Sequence, residues 1–181
     1  MPESEDGYQI IEVRVRARGQ LFNSLDPSPF IDRDLDDEAE SHIVGWAREL
    51  PQAAPIRLLI YLPAEEARNA TAEGVPAALN NYFGLRADAA HRDLKDLFAL
   101  GWRYLAIGIP ILISCLTASQ FMQHALGPGT FARIMEESLI IVGWVANWRP
   151  IETFLYDWWP IARRIRLYRR LEQADVRIVP V

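Results

Sequence analysis

The chain has one cysteine, Cys115, in 181 residues, which excludes a disulfide framework and any zinc or iron–sulfur site built on several cysteines. Lysine is almost missing: of nineteen basic residues, eighteen are Arg and only Lys95 is Lys. The histidines His42, His91 and His124 lie in separate segments, with no HExxH or other metal-ligand spacing. There is no Walker, Rossmann, kinase or hydrolase signature; Asn23-Ser24 stands beside no base, and Gly127-Pro128-Gly129 is a tight turn, too short for a phosphate loop. The net charge of −5 argues against a general nucleic-acid binder, which would be basic. Met1 to Gly7 is polar and acidic and strand-like sequence follows, so no signal peptide is expected. These absences predict a protein that is not an enzyme, takes no cofactor or metal, and has no nucleic-acid partner.

What is present is one domain's worth of sequence, 50% hydrophobic and 24% charged, with the charge segregated. Residues 1–50 hold twelve of the twenty-four acids, whereas Arg149, Arg163, Arg164, Arg166, Arg169 and Arg170 cluster near the other end. Between them lies LAIGIPILISCLTA, Leu105 to Ala118, inside a stretch without Asp, Glu, Lys or Arg that runs from Arg103 to Arg133. That is long enough for one membrane crossing at about 1.5 Å per residue. Gly108 and Pro110 are better tolerated in such a helix than in a soluble one. After the Gly-Pro-Gly turn, Phe131 to Trp148 gives a second helix of roughly 27 Å. The short connection predicts an antiparallel pair, with both chain ends on one face. Arg103, Arg149 and the later arginines put that face in the cytoplasm.

The rest reads as a cytoplasmic module. Ile10 to Arg18 alternates as a half-buried strand, with Arg14, Arg16 and Arg18 on its polar side. QLFNSLDPSPF is a loop with apolar anchors at Leu21, Phe22, Leu25 and Phe30. A helix follows from about Asp34 to Leu50, with Leu35, Ala39, Ile43, Trp46 and Leu50 on one face and Asp32, Asp34, Asp36 and Asp37 at its start. Ile56 to Leu62 is a buried strand, completing a β-α-β unit. The tail DVRIVPV is expected to return as a third strand, with Pro180 placing it at an edge. Glu65 to Glu73 is a short helix, and from Pro76 an amphipathic pattern continues without a stop into the first crossing.

The fold class expected is therefore an α+β membrane protein: residues 1–74 a cytoplasmic β-α-β module, 75–102 a juxtamembrane helix, 103–149 a two-helix transmembrane hairpin (about 103–126 and 130–149), and 150–181 a basic cytoplasmic tail with the return strand. The phrases QLFNSLDPSPF, IVGWAREL, YFGLRA, GWVANWRP and FLYDWWPI resemble a group of small uncharacterised bacterial inner-membrane proteins, over about Ile10 to Leu171. The resemblance implies a two-helix membrane protein with cytoplasmic ends; it implies no activity and no site residues.

Glu136 and Glu137 are the candidate pore or ion site, because an ionisable group at membrane depth costs several kcal/mol, about, unless paired or hydrated. The competing reading is interfacial, with Glu137 paired to Arg133 at i, i+4. Trp102, Arg103, Trp148, Arg149, Trp158 and Trp159 are expected membrane-interface anchors. Arg163, Arg164 and Arg166 are candidates for lipid phosphate. Two functions follow: an oligomeric inner-membrane scaffold or accessory subunit, with membrane lipids, further copies of itself and an unidentified protein as partners; or a small oligomeric cation channel. Small residues at Gly108, Ser114, Ala118, Gly143 and Ala146 suit the close helix contacts that either needs.

Overall fold

The computed structural model describes residues 4–5, 7–23, 26, 33–51, 54–126 and 129–181. Its elements are β1 (Ser4–Glu5), β2 (Tyr8–Arg14), α1 (Asp37–Glu49), β3 (Ile56–Leu62), α2 (Ala64–Ala72), α3 (Val75–Leu126), α4 (Thr130–Ala146), α5 (Trp148–Glu152), a π-helical segment Thr153–Asp157, α6 (Trp158–Glu172) and β4 (Asp175–Pro180). The chain divides into two compact units, Met1–Ala90 with Arg163–Val181, and His91–Ala162.

The first unit is a mixed helix-and-strand layer pair. Its sheet has the order β1-β2-β3-β4. β2, β3 and β4 are parallel, so the strand–helix–strand unit and the returning third strand are both present. β1 adds a short antiparallel pairing, Ser4 opposite Gln9 and Glu5 opposite Tyr8. Register aligns Ile11, Leu58 and Val176, then Val13, Ile60 and Ile178, on one face. That face joins one hydrophobic core with Ile43, Val44 and Ala47 of α1, Leu79 and Phe83 of α3, and Leu171 of α6. The opposite face is mixed, with polar groups among Ile10, Leu59 and Val179: Arg57 donates from Nε to Asp175 Oδ2 at 2.8 Å and lies 4.2 Å from the Tyr8 ring centre. Pro180 sits on the edge strand, where its missing N–H costs no ladder bond.

Three local expectations shift. β2 spans Tyr8–Arg14, not Ile10 to Arg18, because the Arg16 N–H donates to Gln20 Oε1 at 2.8 Å and the chain turns. Arg18 therefore leaves the Arg14–Arg16 side and pairs with Glu73 at 2.9 Å. α1 begins at Asp37 because Asp36 is extended and caps it, accepting from the Glu38 N–H at 3.0 Å. Its buried stripe is Glu40, Ile43, Val44 and Ala47, while Trp46 stays 42% exposed. Of the loop anchors, Leu21 and Phe22 are buried, and Phe22 bridges to Leu35; Leu25 and Phe30 lie outside the described residues, as do Ser24, Asp32, Gly127 and Pro128.

α3 is continuous, as the unbroken pattern predicts. Gly74, at φ +77°, supplies the left-handed turn between α2 and α3. One stretch within Val75–Met122 is long and apolar enough, by length and composition, to cross a membrane, and only 11% of it is buried.

Ile60 is fully buried on the central strand β3 between Val13 and Ile178. Ile60→Ala is expected to destabilise the first unit by about 2–5 kcal/mol. Urea unfolding of the intact protein in detergent, read by protease sensitivity of this unit, checks it.

Candidate functional site

The first unit buries one carboxylate in its apolar layer. Glu40 lies on the inward stripe of α1 and is 8% exposed. Its Oε2 accepts from Tyr82 OH at 2.7 Å and Arg86 Nη2 at 2.6 Å. Its Oε1 accepts from Arg86 Nε at 3.2 Å and Tyr168 OH at 3.3 Å. Tyr82 and Arg86 stand four residues apart on α3, hence on one helix face, and Tyr168 comes from α6. Burial alone would raise the Glu40 carboxyl, but the hydrogen bonds from Arg86 and Tyr82 and the Arg86 charge outweigh it and hold it below its ordinary value. Burial, and then the hydrogen bond to Glu40, push Tyr82 upward, so it stays a donor. Burial and the Glu40 charge do the same for Tyr168. With both oxygens engaged, the carboxylate ties three helices together.

Beside this layer, β2 and α1 enclose an open cleft of about 940 Å³. Glu12, Arg14, Glu38, His42 and Trp46 line it, and His42 meets the Trp46 ring edge-on at 6.2 Å.

The second unit holds most of the residues singled out from sequence. Trp102, 63% exposed, packs edge-to-face on Phe154 at 5.4 Å. Phe98 stacks on the same ring at 6.0 Å, and Trp158 donates from Nε1 to the Phe154 carbonyl at 3.1 Å. Trp158 and Trp159 lie 5.6 Å apart. Trp102 and Trp158 are thus brought together around Phe154, while Trp148 and Arg103 remain exposed. Arg149 is held by Glu152 at 2.9 Å and Asp157 at 3.6 Å. Just after Pro150, the Thr153 hydroxyl donates to the Arg149 carbonyl at 3.0 Å. Glu137 pairs with Arg133 at 3.6 Å, and Glu136 is half-buried.

Arg163, Arg164 and Arg166 belong to the first unit; they are exposed and make no ion pair among the described residues. Arg169 and Arg170, by contrast, are structural. Arg169 bonds Asp88 at 2.6 Å, and Arg170 reaches the Pro51 and Ala54 carbonyls at 2.8 and 2.9 Å.

α3 and α4 pack through small residues. Gly108 lies by Asn147, and Gly143 lies by Leu112 and Cys115, so the two helices run antiparallel. Asn147, 5% exposed, donates from Nδ2 to the Gly108 carbonyl at 2.9 Å and the Gly143 carbonyl at 3.0 Å. A methyl at Gly108 would stand 2.7 Å from Asn147 Oδ1 and 3.1 Å from the Ala146 carbonyl.

Sequence reasoning missed the Glu40 cluster. Its signal was present: Glu40 lies three and four residues before Ile43 and Val44, on the helix's apolar side.

No family model, no curated protein and no solved structure matches the chain. The fold itself defines the class: a mixed helix-and-strand protein with a small parallel sheet and one long apolar helix.

Two outcomes follow. Folded, Glu40 keeps its charge to lower pH than in the unfolded chain, whose ordinary value is 4.5. Its contribution to stability is complete above that value and is lost as pH falls through the lowered folded value. Glu40→Gln is expected to cost about 1–3 kcal/mol at neutral pH and to flatten the stability profile below about pH 5. Urea titrations at a series of pH values test this, and equal acid slopes in both proteins would refute it. In the second unit, Gly108→Ala is expected to loosen the α3–α4 pair by about 1–3 kcal/mol. Adding Asn147→Ala should recover part of that loss, since it removes the nearest obstructing atom. Thermal unfolding in detergent of both singles and the double variant measures the coupling.

Proposed function

We propose that the protein is an oligomeric integral membrane protein that acts as a scaffold or accessory subunit, displaying its first unit on the cytoplasmic side of a bacterial inner membrane. The observation that carries this is the apolar surface of the second unit. Ile107, Ile113, Phe121, Ile141, Val145 and Trp148 are each more than half exposed. Such an area in water costs about 25 cal/mol per Å², a cost that hydrocarbon removes. In this reading α3 and α4 both cross the bilayer, the 127–129 connection faces the periplasm, and both termini lie inside. The arginine bias and the Trp102–Phe154–Trp158 cluster near Arg149 support that orientation.

The pairing of Glu137 with Arg133 supports an interfacial place for the acidic pair over a pore lining. Asn147, a buried polar side chain between the helices, has its amide donating to backbone carbonyls of both, which suits a packed seam more than a water path.

Thiol labelling tests the topology. In a Cys115→Ser background, Thr130→Cys is expected to react with an impermeant reagent added from the periplasmic side, and Ser4→Cys and Val181→Cys are expected to react only after lysis. Outside labelling of all three, or of none, would overturn the hairpin.

A further inference from the structure

Beyond Gln9, strand β2 keeps one edge open among the described residues. Gln9 N–H donates to the Pro55 carbonyl at 2.8 Å and Val15 N–H to the Tyr61 carbonyl at 3.1 Å, so odd-numbered residues turn their backbone groups to β3. By the two-residue alternation of a strand, the groups of Glu12 and Arg14 point the other way. On that side β1 reaches only Tyr8 and Gln9, and no described residue pairs with Glu12 or Arg14. The cleft of about 940 Å³ beside α1 opens onto this same edge. An uncovered edge is a template for another strand.

The charges on the edge say which strand fits. Glu12 and Arg14 project on one face; in their own chain they lie 3.6 Å apart, Glu12 accepts from Tyr61 OH at 3.1 Å and the Arg14 guanidinium lies 5.1 Å from the Tyr61 ring centre, yet their side chains stay 46% and 78% exposed. Set a second β2 antiparallel, Val13 opposite Val13. Glu12 then faces the partner's Arg14, and Arg14 faces the partner's Glu12. Both pairs have outward backbone groups, so both form closely spaced hydrogen-bonded pairs. Sliding by two residues one way opposes Glu12 to Glu12; sliding the other way opposes Arg14 to Arg14. Sliding by one turns the core face of one strand toward solvent. Only the register about Val13 opposes unlike charges throughout.

We infer that two copies of the chain pair through their β2 edges, antiparallel about Val13, and join two four-stranded sheets into one. This deepens the oligomeric reading by naming its contact, and it holds whether or not α4 crosses a membrane.

The test is the mass of the purified full chain in detergent, by light scattering after size exclusion. Wild-type particles are expected to hold two copies or a multiple of two. Glu12→Arg and Arg14→Glu each oppose like charges twice and are expected to halve the mass. The combined exchange Glu12→Arg/Arg14→Glu restores it. Mixing the two single variants also restores it, since each then offers what the other lacks, which shows in addition that both are folded. A wild type of one copy, or single variants of unchanged mass, would overturn the contact. Single variants that dissociate and are rescued by neither exchange nor mixing would overturn the register. Failure of the membrane reading is seen separately, in the thiol labelling.

Discussion

The arrangement of the first unit depends on one buried charge. A carboxylate inside an apolar layer is costly unless each oxygen meets a donor. Glu40 meets four, from α3 and α6. α1, α3 and α6 therefore settle together, and the position of α6 decides where the chain goes next. Arg169 and Arg170 fasten that helix to Asp88 and to the Pro51 and Ala54 carbonyls. After a two-residue turn, β4 falls beside β3 and covers an edge that would otherwise be the sheet's open centre. The closure of the sheet is thus a result of helix electrostatics as much as of strand propensity.

The second unit answers to a different constraint. It has few buried side chains among its described residues, and its helices meet where side chains are absent, at Gly108 and Gly143. In the membrane setting proposed above, burial of apolar area gives little net attraction, and close backbone approach with a shared hydrogen bond takes over. Asn147 supplies that bond. The two units illustrate how one chain packs by two rules.

Much of this was legible in the residues. The alternation in β2 and in the valine-rich tail, and the strand-length apolar run of β3 closed by Pro63, each read as a strand, so the parallel sheet followed. The unbroken pattern through Gly84 and Gly101 gave a continuous α3. The start of α1 and the end of β2 were not legible, because each is set by one side chain folding onto its own backbone: Asp36 onto the Glu38 N–H, and Gln20 onto the Arg16 N–H. The Glu40 cluster was hidden for another reason. Its partners lie 42, 46 and 128 positions away, and nothing local announces them. The burial of Asn147 escaped likewise, since its acceptor at Gly108 is 39 residues distant.

The place of β4 in chain order has a consequence for synthesis. β2 and β3 leave the ribosome early, but the strand that completes their parallel sheet is made only after every apolar residue of the second unit. Until then β3 offers an unpaired edge, and Leu171 and Tyr168 are missing from the core. A nascent chain at that stage exposes both an apolar helix and a strand edge, the two features that invite aggregation. The order of translation therefore leaves the parallel sheet of the first unit incomplete until the second unit has been made.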